Sequence, residues 1–281
     1  MTNVSHRILL TLAALAPVAL GAQAAPPQPA SNVLIVFRET VKPGKGTQHD
    51  AHEVAWVNAL ATAKYPIPML AARATTGANE TWYMSAYPTW AAYEQATNAV
   101  GANPAWAAIE KQYSAKEDEF LGDGRAMVLE RRDDLSYGPP ANLSASRYFS
   151  ITRISVRPGH SAEYEENRKM IKAAHEAARM SDGFSLWEVR TGAPLGTFYA
   201  IVARKSLAEL DSGAMTHGAA YQAALGGAEA QKKMQANTAS AVISSESNNF
   251  AFVPSQSLPP AEWIAADPGF WKRTPVVKKA P

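Results

Sequence analysis

Cysteine is absent from this sequence of 281 residues, and neither sign of charge dominates it. Without cysteine the chain has no thiolate nucleophile, no disulfide and no cysteine ligand for a metal. The formal net charge is only +2, and outside the C-terminal tail lysine and arginine form no basic patch of the kind that marks nucleic-acid-binding proteins. We therefore expect no nucleic-acid partner, and a fold that depends on its hydrophobic core.

Familiar catalytic motifs are also missing. The sequence contains no glycine-rich phosphate loop, no serine nucleophile elbow and no HExxH zinc signature. Motifs therefore do not fix a chemistry, and from the sequence we predict neither a metal nor a cofactor.

A run long enough to span a membrane is missing as well. The most apolar segment, residues 8–22, is broken by a proline and a glycine and is shorter than the about 20 residues that cross a bilayer. Its charged start and its small-residue exit at 22–24 are typical of a secretory signal peptide. We predict a signal peptide over 1–24, cleaved after Ala24, and a linker over 25–31, so that the mature protein is periplasmic or secreted. The alternative, a buried N-terminal helix, is disfavoured by the prolines that follow.

What the sequence does contain is an internal repeat. Val41-Lys42-Pro43-Gly44 matches Val156-Arg157-Pro158-Gly159 at an offset of 115 residues, and Thr76-Gly77-Ala78 matches Thr191-Gly192-Ala193 in the same register. Several matches in one register indicate a tandem duplication. We predict a first repeat over 32–140, a second over 146–254 and a C-terminal tail over 255–281.

Hydrophobic periodicity predicts the order βαββαβ in both repeats. In the first repeat we predict strands over 33–41, 69–75, 81–87 and 125–132, and helices over 46–63, 89–97 and 104–120. In the second we predict strands over 148–156, 184–190, 197–203 and 240–244, and helices over 161–180 and 218–237. This order is the ferredoxin-like motif, whose sheet leaves one face open. Two copies cover those faces by packing sheet to sheet, so we predict an α+β chain of two tandem ferredoxin-like modules.

The Val-basic-Pro-Gly turn, the amphipathic helix after it, and the glycine and aromatic strand that follow resemble the dimeric α/β-barrel superfamily. That group includes NIPSNAP-like proteins, antibiotic-biosynthesis-type monooxygenases, and chlorite dismutase and dye-decolourising peroxidase relatives. The resemblance implies an intramolecular dimeric α/β-barrel, and hence a monomeric pseudo-dimer or a homodimer. It implies no single function, because members include haem enzymes, cofactor-free oxygenases and proteins of unknown role.

The first turns of the first long helix carry His49, His52 and Glu53. Spacings of three and four residues put them one turn apart, and imidazole with carboxylate suits a metal or acid–base cluster. The alternative, which we favour from the sequence, is a solvent-exposed first turn whose acidic groups face the positive end of the helix. A site here would belong to one half only, because the matching positions of the second repeat are Tyr164, Asn167 and Arg168.

Arg38 and Arg153 occupy the same register on the first strand of each repeat. Strand alternation places each of them on an apolar face, where a charged residue needs a partner or a wet cavity. The two interpretations are an anionic-ligand clamp in each half and an arginine–carboxylate bridge between the sheets, and we favour the bridge. Arg73 aligns with Glu188, a charge reversal that could mark an ion pair across the pseudo-twofold axis.

Aromatic residues and two further histidines complete the candidates. Trp56 could line a cavity together with Trp82, Tyr83, Phe198 and Tyr199, although such spacing is more typical of a core. His175 shares the apolar face of its helix and could line a pocket or bind haem, but a core histidine with a backbone partner is the more common outcome. His217 is a second candidate haem ligand.

These features favour a small-molecule-binding protein with its ligand in a barrel pocket. The alternatives are a cofactor-independent monooxygenase-like enzyme and a haem-binding protein. Because His49, His52 and Arg73 have no like residue in the second repeat, we expect one functional half. Aromatic residues of the tail could anchor it across the barrel. The candidate ligand-binding residues are Arg38, Arg153, His49, His52, Trp56, Arg73 and His175.

Overall fold

A computed structural model describes residues 31–211 and 218–272 of the chain. Within these ranges the protein is an α+β structure whose strands close into an antiparallel barrel flanked by helices. None of the helices described is both long and apolar enough to cross a membrane. The strands are β1 (Val33–Val41), β2 (Leu70–Ala74), β3 (Glu80–Tyr87), β4 (Leu121–Arg131), β5 (Tyr148–Val156), β6 (Ser185–Thr191), β7 (Thr197–Arg204) and β8 (Val242–Phe252). The helices are α1 (Gly46–Thr62), α2 (Trp90–Gly101), α3 (Pro104–Glu117), α4 (Ser161–Ala177), α5 (Ala219–Ala224), α6 (Gly227–Ala241), α7 (Ala261–Ala266) and α8 (Pro268–Trp271).

The strands follow one another around the barrel in the order β1-β3-β2-β8-β5-β7-β6-β4, and β4 pairs with β1 to close it. The strands β1 to β4 therefore form one arc and the strands β5 to β8 form the other. The arcs meet at two seams, where β2 pairs with β8 and where β4 pairs with β6. The closed barrel predicted from the sequence is confirmed.

A glycine lies against each of the two seams. At Gly192, which has a φ of +88°, a Cβ atom would stand 2.0 Å from the backbone oxygen of Ala126 on β4. At Gly77, which has a φ of +78°, a Cβ atom would stand 2.4 Å from the side chain of Asn248 on β8. Glycine alone tolerates a left-handed backbone together with so close an approach. The Thr-Gly-Ala segment shared by both sequence repeats therefore marks the places where the arcs join.

Strand alternation sorts the side chains into separate layers. On β1, Leu34 and Val36 belong to the barrel core, whereas the buried Glu39 has the opposite orientation and faces α1. A second layer packs between α4 and the outer face of the sheet, where Tyr164 contacts Phe198. The interior of the barrel is filled mainly by large side chains, among them Trp82, Met127, Phe149, Tyr199 and Phe250.

Two predicted elements of the second half are wrong in extent. The helix expected over 218–237 is two helices, because Gly226 and Gly227 have φ values of +93° and +77° and break it. The strand expected over 240–244 runs instead from Val242 to Phe252, because it pairs along its length with β5 and at its end with β2. Its sequence, VISSESNNFAF, has a polar and mostly exposed middle that hides the strand pattern.

The tail is anchored against one end of the barrel, as far as Lys272 where its description ends. Trp263 and Trp271 are buried and belong to the barrel core. The indole Nε1 of Trp271 donates a hydrogen bond to the backbone oxygen of Ser144 at 2.7 Å. Arg147 forms an ion pair with Asp267, and its guanidinium lies 3.9 Å from the ring centre of Phe270. The tail therefore closes this end of the barrel.

Candidate functional site

A cavity of about 760 Å³ lies at the end of the barrel that carries the tail. It is bounded by the first residues of β1, β2, β5 and β6, by the last residues of β3 and β7, and by the segment that leads into α7. Its walls are mostly apolar and include Met84, Phe149, Trp187, Ile201 and Trp263. Because these side chains belong to the barrel core, the cavity is a continuation of the interior of the barrel.

Two arginines reach this cavity, and both have partners. Arg131 forms an ion pair with Asp133 at 2.7 Å, and Arg204 donates a hydrogen bond from Nε to Ser150 Oγ at 2.9 Å. Asp182, Lys205 and Glu209 also line the cavity, so its mostly apolar walls carry a few charged groups.

Arg38 and Arg153 come together at the other end of the barrel. Both line a cavity of only about 20 Å³, together with Glu80, Trp82 and Tyr199, which is space for about one water molecule. Arg38 forms an ion pair with Glu80 on the neighbouring strand β3, and Arg153 Nε has no hydrogen-bond partner. The ion pair between Arg38 and the Glu80 carboxylate therefore lies within one arc, and our expectation that such a bridge joins the two sheets is wrong. A ligand-binding role for either arginine stays a prediction.

A buried polar cluster lies between α1 and the outer face of β1. Glu39, His49 and Glu53 are each no more than 2% exposed. His49 Nε2 is 2.7 Å from Glu39 Oε2 and 4.0 Å from Glu53 Oε1. Our preferred interpretation of His49 and Glu53 as a solvent-exposed first turn is therefore wrong, because α1 turns this face onto the sheet. We call these three residues the Glu–His–Glu cluster.

Burial changes the protonation of this cluster. Removal from water and, after it, the nearby carboxylate of Glu39 together raise the pKa of Glu53 to about 8. Tyr83, whose hydroxyl donates to Gln256 Oε1 at 3.3 Å, has its pKa raised well above its ordinary value, first by burial and then by the nearby Glu53. On α3, burial also raises the pKa of Glu117. Glu53 therefore holds a proton at neutral pH.

Arg73 forms the outer edge of the cluster. It pairs with Asp50, with 3.0 Å between Nη1 and Oδ2, and it lies 3.3 Å from Gln256 Oε1. Glu188 pairs instead with Arg132 at 3.1 Å. The proposed ion pair between Arg73 and Glu188 across the pseudo-twofold axis is therefore wrong.

His52 and Trp56 lie beside the cluster on α1 and contact aromatic rings. The ring centre of His52 is 5.3 Å from that of Tyr113 and 5.2 Å from that of Phe120, and burial lowers its pKa. Trp56 meets Tyr83 edge to face at 6.1 Å. The structure thus brings His49, His52, Trp56 and Arg73 to one region, whereas Arg38 and Arg153 lie inside the barrel.

His175 is a core histidine with a backbone partner, which is the outcome that we considered more common from the sequence. Its Nδ1 hydrogen-bonds the backbone oxygen of Ile171 at 2.8 Å. Rings of Tyr137, Phe184 and Tyr221 surround it at centre distances of 4.9 to 5.2 Å. The imidazole is thus enclosed and 3% exposed, and its Nε2 has no hydrogen-bond partner. A role for His175 in binding haem stays a prediction. The other candidate, His217, lies outside the described residues.

The second half has no equivalent of the Glu–His–Glu cluster among its described residues. Tyr164 stands where His49 stands in the first half, and its ring packs on Phe198 at 4.7 Å. Asn167 donates hydrogen bonds to the backbone oxygen of Met234 and to Thr238 Oγ1. These positions serve helix packing in the second half.

Glu39 and Gln256 are the site residues that sequence reasoning missed. Glu39 has a signal in the sequence, because alternation along β1 places it opposite to Arg38 and hence on the helix side. Gln256 has none, because it follows β8 in a short turn and reaches Arg73 only through the pairing of β2 with β8.

No protein-family model and no curated protein sequence matches the chain. Solved structures do match it. A "putative monooxygenase" from Fusobacterium nucleatum has a TM-score of 0.50 and 14% identity, over 79% of this chain and 93% of that one. An anthrone oxidase-like protein has a TM-score of 0.52 and 12% identity, over 80% and 92%. A mutant chlorite dismutase from Candidatus Nitrospira defluvii has a TM-score of 0.45 and 11% identity, over 80% and 92%.

The first two similarities extend over nearly the whole length of the matched proteins. Together with the closed antiparallel barrel of the strands, they confirm the resemblance drawn from the sequence. The chain shares the fold of those two proteins, and its strands form a closed antiparallel barrel.

Proposed function

We propose that this protein binds an apolar, ring-containing small molecule in the cavity at the tail end of the barrel. The observation that carries the proposal is the cavity of about 760 Å³ that continues the barrel interior. Pockets for small organic ligands have volumes of roughly 300 to 1,000 Å³ and are mostly apolar with a few polar groups. A well-packed core does not leave so large a space.

The walls of the cavity support the choice of ligand class. Phe149, Trp187 and Trp263 provide flat aromatic surfaces, which stack on planar rings. Met69 and Met84 add flexible thioethers that adapt to an irregular outline. Arg131 and Arg204 are engaged by other side chains, so these two arginines offer little to a charged ligand.

Filling the cavity tests this proposal. Ile201 lines the cavity and is 7% exposed, so Ile201→Trp places an indole where the ligand would lie. We expect the neutral dye N-phenyl-1-naphthylamine to bind the wild type at one site per chain, and the variant to bind it at least about tenfold more weakly. Fluorescence titration measures both.

Ile243→Trp is the matched control, because Ile243 is 59% exposed and lies away from the cavity. It should bind the dye as the wild type does. A wild type without saturable binding, or an Ile201→Trp variant with unchanged affinity and an unchanged melting temperature, would show that the cavity is not a ligand site.

Oxidation of such a ligand is the second candidate function. The structural similarity to the anthrone oxidase-like protein favours this candidate. That similarity by itself concerns the fold alone. Trp56 on α1 and Arg73 on β2, two of the candidate ligand-binding residues, do not line the cavity. An oxygen electrode with anthrone as substrate tests the activity, and uptake that Ile201→Trp does not reduce would separate it from the cavity.

We also propose that the chain is exported and that its two arcs are tandem ferredoxin-like modules. The export proposal rests on residues 1–24, and the duplication proposal rests on the repeated sequence segments and on the same order of strands in both arcs. N-terminal sequencing of the protein recovered outside the cytoplasm should begin at Ala25, whereas a start at Thr2 or Met1 would refute cleavage.

A further inference from the structure

The region between α1 and β1 carries an inference that goes beyond ligand binding in the barrel. We propose that Glu39, His49 and Glu53 form a binding site for one divalent transition-metal cation of the zinc, manganese and iron(II) class. The three residues are drawn together from two elements, since Glu39 lies on β1 and the other two lie one turn apart on α1. The Glu–His–Glu cluster lies outside the barrel and is separate from the cavity.

The donor set fits this class of cation. One imidazole nitrogen with two carboxylate oxygens is the mixed set that zinc, manganese and iron accept. One ligand atom from each residue lies within 4.8 Å of the others, and the two distances from His49 Nε2 are 2.7 and 4.0 Å. A tetrahedral cation with bonds of about 2.1 Å holds its ligand atoms roughly 3.4 Å apart. Of the two pairs that include His49 Nε2, one therefore has to open and the other to close, each by less than 1 Å, and the two carboxylate oxygens lie within 4.8 Å of each other.

Charge and burial favour a cation at this place. Glu39 and Glu53 are 2% and 1% exposed, and buried charges require a partner or a metal. The groups that face the cluster add more negative than positive charge, because Glu117 on α3 is also close while Arg73 is engaged by Asp50. A divalent cation compensates the charge of both glutamates at once, and Glu53 releases its proton when the cation binds.

The residues around the cluster provide the outer partners that metal-binding side chains need. His49 Nδ1 is buried without a hydrogen-bond partner and lies 3.8 Å from Asp50 Oδ1. Asp50 is itself fixed by Arg73 and by Gln256, whose Nε2 donates to Oδ1 at 3.1 Å. With a cation on Nε2, the Nδ1–H group faces the Asp50 carboxylate, and this contact would set the orientation of the ring.

A partly exposed ion pair lies next to the cluster. The side chains of Asp50 and Arg73 are 41% and 34% exposed, and Asp50 Oδ1 is 3.8 Å from His49 Nδ1. None of the three proposed ligands lines the barrel cavity, so metal binding and ligand binding can be tested separately.

Titration of the chelator-treated, full-length chain with Zn²⁺ tests the proposal by calorimetry. We expect one cation per chain and a melting temperature that rises with the concentration of metal, because a ligand of the folded state stabilises it. Titration with Co²⁺ gives a spectroscopic readout, since its visible absorption reports nitrogen and oxygen ligation. A chain without saturable binding of either ion overturns the proposal.

Substitutions assign the ligands. Glu53→Gln and His49→Gln should each weaken Zn²⁺ binding by more than about 100-fold, because loss of an outer partner alone costs 10- to 100-fold. The matched control is His160→Gln, in which a half-exposed histidine at the start of α4 loses its contact with Glu163. Its affinity should equal that of the wild type.

Melting temperatures without metal establish that each variant is folded. If His49→Gln does not fold, Glu53→Gln decides the question, because glutamine preserves the size of the side chain. A folded Glu53→Gln variant that binds Zn²⁺ and Co²⁺ as the wild type does contradicts the proposal, and so does a loss of binding confined to His160→Gln. Dye binding in the cavity is measured in parallel and should be unchanged in all of these variants.

Discussion

Trp271→Ala should lower the free energy of unfolding by about 3 to 5 kcal/mol, the usual cost of removing a fully buried tryptophan. Trp271 is 0% exposed and belongs to the barrel core, although it lies near the end of the chain. Its ring contacts those of Trp263 and Phe270 at 5.2 and 4.9 Å, and its indole nitrogen bonds the oxygen of Ser144. The substitution therefore opens a void and leaves that oxygen without its donor.

Urea unfolding measures the effect, with the midpoint compared at an unchanged slope. Trp90→Ala is the matched control, because Trp90 is 42% exposed at the start of α2 and should lose less than about 1 kcal/mol. Equal losses in the two variants would mean that α8 is not part of the core. If Trp271→Ala has the same free energy of unfolding as the wild type, the end of the barrel is closed without the tail.

Glu53→Gln should remove a pH dependence of stability that the wild type shows in the absence of metal. The pKa of Glu53 is raised from an ordinary value of 4.5 to about 8 in the folded protein. The folded state therefore holds the proton more tightly than the unfolded state between these values. This contribution to stability is fully present below about pH 4.5 and is lost as the pH rises through about 8.

The slope attributed to Glu53 approaches 1.4 kcal/mol per pH unit within this window, so the wild type should lose a few kcal/mol relative to the variant between about pH 5 and 8. The groups facing Glu53 are Glu39 on β1, Tyr83 on β3, Glu117 on α3, and Asp50 and His49 on α1. All of these remain in the variant. The difference between the two proteins thus isolates the titration of Glu53.

Denaturant unfolding at a series of pH values, with a chelator present, measures this difference. Glu229→Gln is the control, because Glu229 is exposed in the first turn of α6, and it should follow the wild type at every pH. If the free energy of unfolding varies with pH in the same way for the wild type and Glu53→Gln, Glu53 is ionised in the folded protein. The cluster would then be more hydrated than its burial indicates.

The strands could be predicted where both faces of the chain carry a clear pattern. The predicted bounds of β1 and β5 match the structure at both ends, because apolar alternation and a following Pro-Gly turn agree. The same alternation placed Arg38 and Arg153 on the interior face. The length of β8 could not be predicted, since its polar residues satisfy the barrel only through pairing with distant strands.

The Glu–His–Glu cluster escaped prediction because it violates the pattern used to find a buried helix face. The buried positions of α1 are His49, Glu53, Val57 and Leu60, and only the last two are apolar. The spacing of these four residues places them on one face of the helix. The polar side chains of His49 and Glu53, however, indicated that this face is exposed to solvent. Tertiary packing decides which side of α1 contacts the sheet. The sequence of the helix alone does not determine that packing.

The seam between β2 and β8 has a consequence for the order in which the chain folds. Ala71 on β2 donates its backbone N–H to Ser257 Oγ, which lies 186 residues further along. Closing so long a loop costs chain entropy that local hairpins do not incur, and such non-local pairing slows folding. The first arc can pair its strands early, but its apolar inner face stays exposed until almost the whole chain has been synthesised. Barrel closure is therefore a late step, and the interval before it is when this protein is most prone to aggregate.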